Sequence, residues 1–267
     1  MPLTAIEHIH TAARTASGAS LDRPVYLDRD LGLYGLVDFE AKQTVYVDVP
    51  VARIVALGRR DFWSPGDTWR TITYRIHGDG WSSDVFDYFE SPTKEAYFPA
   101  PSSLYQLRLS IFGGVAECAN GNHRLVAARA WLTDKYGDEA VLRGVRVRVY
   151  PIHRCAVDFL TRARCEGTDV LTTTLDHHER KYCRVNGKPI QLLLKTANHP
   201  YAIYAWVNEQ LVPLEDERTF LQCHFPKQFP PVMDRYDWRT IPLAILEELL
   251  DDAWLARQLA TAETWED

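Results

Sequence analysis

Five consecutive polar residues, Asn120-Gly121-Asn122-His123-Arg124, separate a strand-like stretch at 114–119 from a run that opens Leu125-Val126-Ala127-Ala128. Gly121 suits the left-handed backbone of a tight turn, and Asn122 carries the side-chain oxygen of a helix cap. Local structure alone explains both. It does not explain His123 and Arg124, because a cation in the first turn of a helix opposes the helix dipole. An anion at the same place would resolve that conflict. Arginine offers a planar, permanently charged fork matched to phosphate oxygens, histidine donates a bond or moves a proton, and helix-start N–H groups complete the cradle. The expectation is a phosphate site built from Asn120, Gly121, Asn122, His123 and Arg124. For chemistry on that phosphate the candidate catalytic groups are His123, Arg124 and Glu117. Glu117 is the nearest carboxylate in sequence and would position a metal ion or water, although strand alternation puts it on the face of Ala119.

The neighbouring sequence predicts a strand before this turn and a helix after it. Leu125, Ala128, Trp131 and Leu132 share the helix's apolar face, and Gly137 ends it. Residues 144–150 alternate Val145, Val147, Val149 against Arg146, Arg148, the pattern of a strand with one apolar face. Those two arginines, with Arg143 before them, suit either a phosphate-bearing ligand or a charge-guarded sheet edge. Further out, Thr4 and Glu7 form a capping box that opens a helix over 4–17. Residues 36–39 and 44–49 read as a hairpin, 51–57 as a short helix and 71–76 as a strand. Residues 59–104 hold ten prominent aromatics, from Phe62 to Phe98, which suit a core under long loops or a stacking surface. After Pro151 the pattern gives a helix over 152–166, a hairpin around Val185-Asn186-Gly187-Lys188 and a helix over 201–210. Residues 226–231 form a loop boundary, and an acidic amphipathic helix covers 243–262.

Composition sets outer limits. The 267 residues are 46% hydrophobic and 25% charged, ordinary for a globular chain. No run approaches the roughly 18 apolar residues of a membrane helix, so no membrane insertion is expected. Five cysteines without a CxxC pair argue for reduced thiols. With no apolar leader over 1–20, a cytoplasmic location follows as the expectation. The net charge of −6 is carried by the last 21 residues, whereas residues 124–164 hold nine basic against four acidic side chains. That local excess suits nucleotide or nucleic-acid contact without the domain-wide basic character of a dedicated DNA binder. His153, Cys155, Cys165, His177, His178 and Cys183 are chemically fit for zinc but match no familiar spacing. No phosphate-binding P-loop, dinucleotide fingerprint, HExxH or GxSxG motif occurs.

The strand, the Asn120–Arg124 turn and the Leu-Val-Ala-Ala helix start resemble the signature of the ParB/sulfiredoxin superfamily. ParB-like nuclease domains often carry Asp-Gly-His-His-Arg followed by Leu and Ala at this place. The likeness covers roughly residues 44–150. It implies an α/β fold with a mixed sheet: a ParB/sulfiredoxin-like core over 44–150 with a large insertion at 59–104. A helix-and-hairpin elaboration would occupy 1–43 and a C-terminal elaboration 151–267. Within the superfamily the turn is similar to that of plasmid fertility-inhibition proteins of the Osa and FiwA type. That branch implies a protein that blocks conjugative, type IV secretion transfer of DNA, with ATP hydrolysis and metal-dependent DNase activity. Its implied ligand is ATP or another nucleotide, with Mg²⁺ as the accompanying ion. Its implied partners are DNA, a relaxase or a type IV secretion component. The alternative is a non-catalytic nucleotide- or DNA-processing partner that inhibits by binding. The departures favour that alternative: Asn122 stands where sulfiredoxin has its Cys, Asn120 stands where kinase-like members have an Asp, and no metal ligand is assigned.

Overall fold

The computed structural model describes residues 3–94, 97–101, 103, 105–175, 184–185, 187–214, 236–262 and 264–265. The chain runs α1 (Ala5–Thr15), β1 (Tyr26–Leu27), β2 (Gln43–Pro50), β3 (Ile54–Leu57), α2 (Trp69–Thr73), α3 (Asp84–Glu90), β4 (Arg108–Phe112), β5 (Val115–Asn120), α4 (Asn122–Tyr136) and β6 (Val141–Tyr150). It continues through α5 (Arg154–Cys165), β7 (Val170–Thr174), β8 (Arg184–Val185), β9 (Lys188–Pro189), β10 (Leu192–Thr196), β11 (His199–Val207) and β12 (Gln210–Leu214). Last come β13 (Arg239–Ile241), α6 (Leu243–Leu249), α7 (Ala253–Leu259) and β14 (Thr264–Trp265). The class is mixed α/β, as expected.

Two compact units divide the chain: residues 1–28, 40–150 and 252–267 form one, and residues 29–39 and 151–251 the other. The first is built on a seven-stranded sheet in the order β1-β3-β5-β4-β6-β2-β14. Strands β1, β3 and β5 run parallel, as do β4 and β6, and the remaining neighbours are antiparallel. Alternate residues Val45, Val47, Val49, Leu109, Ile111, Ala116, Cys118, Val145 and Val147 enter one core with Ile9 and Ala13 of α1 and Leu125, Val126 and Ala130 of α4. Thus α1 and α4 lie on that face, and Thr4 and Glu7 form the predicted capping box. The second unit holds a five-stranded sheet, β12-β11-β10-β7-β13, antiparallel throughout.

Several local expectations are corrected. Residues 36–39 are not a strand: Leu36 closes a 3-10 turn over Leu33–Leu36, Val37 makes only an isolated bridge to Ile152, and β2 pairs with β6 and β14 instead. Residues 54–57 are strand β3, every one of them buried. A continuous Ile-Val-Ala-Leu run is what a parallel strand covered on both faces requires, and it has the same composition as a buried helix segment. Residues 69–73 are helical, started by a Thr68–Thr71 capping box. Residues 199–214 are two strands joined at Asn208 and Glu209, both at positive φ. The acidic stretch 243–262 is two helices interrupted around residues 250–252, and α7 docks in the first unit, where Trp254 Nε1 donates to the Gly114 carbonyl at 2.9 Å. Five of the ten aromatics in 59–104 are core, Trp63, Trp69, Tyr88, Phe89 and Phe98, and Phe62, Trp81 and Phe86 pack against it partly buried. The predicted loop at 226–231 lies outside the described residues.

Candidate functional site

β3 and β5 are parallel neighbours, with Leu57 opposite Cys118. Their carboxyl ends therefore open side by side, and the Gly58 N–H donates to the Cys118 carbonyl at 3.0 Å. In open α/β sheets this end of parallel strands is where ligands are received. Two chain segments leave it together: residues 58–62, and the turn leading into α4.

The turn closes tightly. Gly121 has φ +94° and ψ 36°, the left-handed conformation expected of it, and forms the N-cap of α4. Asn122 is the first helical residue, which corrects its expected capping role. The residue is only 7% exposed, and among the described residues its Oδ1 has no hydrogen-bond partner. Asn120 ends β5 and turns away from the helix, its Nδ2 donating to the Gln106 carbonyl at 2.8 Å. Among the described residues no side chain caps α4, and its first bond to the turn runs from the Leu125 N–H to the Gly121 carbonyl at 2.9 Å. The N–H groups of Asn122, His123 and Arg124 are the orphan donors that every helix start leaves. Together they form an uncapped donor set at the sheet's open end.

The conflict inferred from sequence, two cations facing a helix dipole, is relieved inside the chain. Arg124 is only 8% exposed. Its Nη1 donates to the Tyr105 carbonyl at 2.8 Å, and its guanidinium carbon lies 5.4 Å from the Phe98 ring centroid. It pins the 98–105 segment to α4 and does not project from the helix start. His123 carries no charge at neutral pH. Its ring is half-buried, 4.2 Å from the Phe62 ring and 5.8 Å from the His77 ring, and its Nδ1 accepts the backbone N–H of His77 at 3.2 Å. An acceptor at Nδ1 leaves the ring proton on Nε2. Burial holds its pKa below the ordinary 6.5. The nearby Asp61 carboxylate pulls the other way, and the His77 and Arg59 charges add to the lowering.

A depressed histidine pKa makes stability depend on pH with a definite sign. The unfolded chain takes the proton near the ordinary value, whereas the folded ring resists it. The contribution is complete above about 6.5 and is lost as pH falls towards the lower folded value. An NMR titration of the His123 ring should give a midpoint below 6.5, and His123→Gln should flatten the acid limb of the stability profile. A midpoint at or above 6.5 would contradict the buried, Nδ1-accepting ring.

Glu117 does not join this group. It is buried in the middle of β5, where Ala116 and Cys118 face the helix-side core, so alternation sends Glu117 to the opposite face of the sheet, beside Ser110 of β4. Cys118 is no nucleophile either, because burial pushes its thiol up to about 12. The groups that do gather at His123 are Arg59, Asp61, Phe62 and His77. Sequence reading missed them. The available signal was a Gly58-Arg59-Arg60 stretch after a buried apolar run, hidden because that run was taken for a helix.

Among the described residues no three His, Cys, Asp or Glu side chains gather as a metal group. Cys155 and Cys165 are both free on α5. Ten positions at about 1.5 Å of rise put them roughly 15 Å apart along the axis, too far for one ion. His177, His178 and Cys183 lie outside the described residues. No helix among the described residues is long and apolar enough to cross a membrane. No family model matches this chain, and neither a curated protein nor a solved structure matches it.

Proposed function

We propose that this chain binds a nucleotide through its phosphates at the Gly121–Arg124 turn and acts by binding rather than by turnover. The observation that carries this reading is the uncapped start of the fifteen-residue helix α4 at the carboxyl ends of β3 and β5. Three backbone N–H groups converge there, a ready acceptor site for an anion. Arg59 is exposed on the facing segment and supplies the permanent cation that Arg124, folded inward, does not. The Nε2 proton of neutral His123 is a further donor, and Phe62 walls the other side of its ring.

The resemblance of the Asn120–Arg124 turn to the ParB/sulfiredoxin superfamily gives the reason to name ATP or another nucleotide as the ligand. It also gives the reason to place the protein with inhibitors of conjugative DNA transfer, acting on a relaxase or a type IV secretion component. The enzymatic form of that reading, ATP hydrolysis or Mg²⁺-dependent DNA cleavage, needs a carboxylate beside the phosphate. Glu117 lies on the other face of the sheet, which favours the binding form. Asp61 is the carboxylate whose charge reaches His123, so any turnover would depend on it.

Calorimetric titration with ATP and CTP tests the binding, and phosphate release and plasmid cleavage with Mg²⁺ test turnover. The expected result is nucleotide binding by the natural chain, at least tenfold weaker in Arg59→Ala (about 1.4 kcal/mol), without hydrolysis or cleavage. Failure of the natural chain to bind either nucleotide removes the proposal. Hydrolysis that disappears in Asp61→Asn would replace it with the enzymatic form.

A further inference from the structure

The second unit has a pocket of its own, about 480 Å³ in volume, between α5 and the β11–β12 hairpin. Two periodicities shape it. Cys155, Asp158, Phe159 and Arg162 stand at positions i, i+3, i+4 and i+7 of α5 and so share one face of the helix. On β11, Ile203, Ala205 and Val207 enter one core, and alternation turns Tyr204 and Trp206, the latter paired with Leu211 of β12, to the other side. There α5 meets the sheet, with the Phe159 and Tyr204 rings edge to face at 5.2 Å. At the hairpin tip the Cys155 thiol donates to the Glu209 carbonyl at 2.7 Å, which ties the Asn208-Glu209 turn to the start of the helix.

The charged groups lining this pocket are held in place without being neutralised. Asp158 stands four residues before Arg162, the order and spacing that favour an acid–base pair on a helix. The two do not pair. The Arg162 guanidinium carbon lies instead over two rings, 5.4 Å from the Phe159 centroid and 5.2 Å from that of Tyr204. That contact steadies the cation and occupies none of its N–H donors. Among the described residues no hydrogen bond or ion pair engages the side chain of Asp158, Arg162 or Glu209. Their order is defined. Glu209 is held at the level of Cys155, Asp158 follows roughly 4.5 Å along the helix axis, and Arg162 roughly 10 Å along it, at about 1.5 Å of rise per residue. The pocket thus offers two carboxylates and then a guanidinium, with Phe159 and Leu211 as its apolar wall. A bare anion would suit Arg162 and meet two like charges. A molecule with one carboxylate, an ammonium beside it and a second cation at the far end of an aliphatic stem would meet an opposite charge at each point.

We propose that this pocket binds a free basic α-amino acid, with its carboxylate on Arg162, its α-ammonium on Asp158 and its side-chain cation at Glu209. The volume lies within the range of small-molecule sites, roughly 300–1,000 Å³. The site belongs to the second unit and is independent of the Gly121–Arg124 turn, which belongs to the first.

Calorimetric titration of the full chain with L-lysine and L-arginine tests this, together with iodoacetamide labelling of Cys155 read by peptide mass spectrometry. At least one of the two amino acids should bind with a Kd below about 1 mM. At saturation it should slow Cys155 labelling about fivefold or more, since thiol reactivity follows access, and leave the exposed Cys165 unchanged. Arg162→Gln and Asp158→Asn should each weaken binding about tenfold or more. Agmatine, which is arginine without its carboxylate, should bind Arg162→Gln as weakly as it binds the natural chain. Both side chains are exposed, so thermal midpoints matching the natural chain are expected, and the labelling of Cys155 reads the site without any variant. Absence of binding by both amino acids overturns the proposal, as does binding that leaves Cys155 labelling unchanged or survives both substitutions. L-Leucine binding as tightly as the basic amino acids would overturn it too. Protection of Cys155 by inorganic phosphate or ATP would overturn it in favour of a bare anion. ATP affinity at the turn should be the same in Arg162→Gln as in the natural chain, so the two sites stand or fail separately.

Discussion

Replacing Arg129 by methionine is expected to destabilise the first unit by about 3–5 kcal/mol, the largest stability loss from any single substitution considered. Arg129 is 1% exposed in the middle of α4. Its Nη1 donates to the Val51 carbonyl at 2.7 Å and to the Ile54 carbonyl at 2.6 Å, and its Nη2 to the Ser20 carbonyl at 2.7 Å. The guanidinium carbon stands 4.2 Å from the Trp69 ring centroid. One side chain thus joins α4 to the start of β3, to the 19–22 turn and to α2. Methionine would fill much of the volume but take the guanidinium donors from three buried carbonyls, of which Val51's keeps the Ile54 N–H, at about 1–3 kcal/mol for each one left unpaired before relaxation. Lysine is expected to rescue little, because a point ammonium cannot span the three carbonyls or lie flat on an indole. Circular-dichroism melts and urea titrations check this. The expected fall in thermal midpoint is on the order of 10 °C, and a change within about 1 °C would refute the role. Because β3 leads into residues 58–62 and α4 begins at the turn, the same substitution should also loosen both walls of the proposed nucleotide site.

The contrast between Arg129 and Arg124 shows how much the sequence disclosed. Both stand on one helix, and sequence reading singled out only the second, because Arg124 stood next to Gly121 and His123. Nothing in an alanine-rich helical pattern distinguishes a solvated arginine from one buried against three carbonyls, since the partners lie 75 to 109 positions away. The elements with strong local signals were legible: the Thr4 capping box, the Gly121 turn, the stop at Gly137 and the alternation of Val145 to Val149 all stand as read. Those that failed were set by distant partners. Residues 54–57 became a strand because β1 and β5 flank them. Residues 201–207 became one because β10 and β12 flank them.

The candidate site was legible in half. The turn and its donor N–H groups follow from Asn-Gly-Asn before a helix. The opposing half, Arg59, Asp61, Phe62 and His77, comes to His123 by way of the parallel pairing of β3 and β5, a contact between residues about sixty positions apart. The role expected of Glu117 failed for a simpler reason. Nearness in sequence along a strand gives no nearness across it, because each step of one residue changes the face.

Gly121→Ala is expected to abolish nucleotide binding while leaving the chain folded, and comparison with Gly137→Ala makes the cause readable. Both glycines have positive φ, +94° and +62°, at opposite ends of α4, and both substitutions strain the backbone, by about 1–2 kcal/mol. They differ in their surroundings. A Cβ on Gly137 would meet nothing within 4 Å, whereas one on Gly121 would stand 3.0 Å from Leu107 Cδ1 and 3.1 Å from Arg124 Nε and Nη2. The added methyl would press on the guanidinium that holds the Tyr105 carbonyl, and at φ +94° the strained backbone would relax by rotating the turn. That rotation would redirect the N–H groups of Asn122, His123 and Arg124, whose common direction makes the anion site. Urea titration should therefore show Gly121→Ala less stable than Gly137→Ala by about 1 kcal/mol, in line with overpacking costs. Calorimetry with ATP should show binding in Gly137→Ala alone. If the two variants bound ATP equally, the helix start would not be what receives the phosphates, however well its geometry suits them. A loss in Gly121→Ala that Arg124→Ala, tested beside it, did not share would place the site in the backbone donors and leave Arg124 as the strut that holds them.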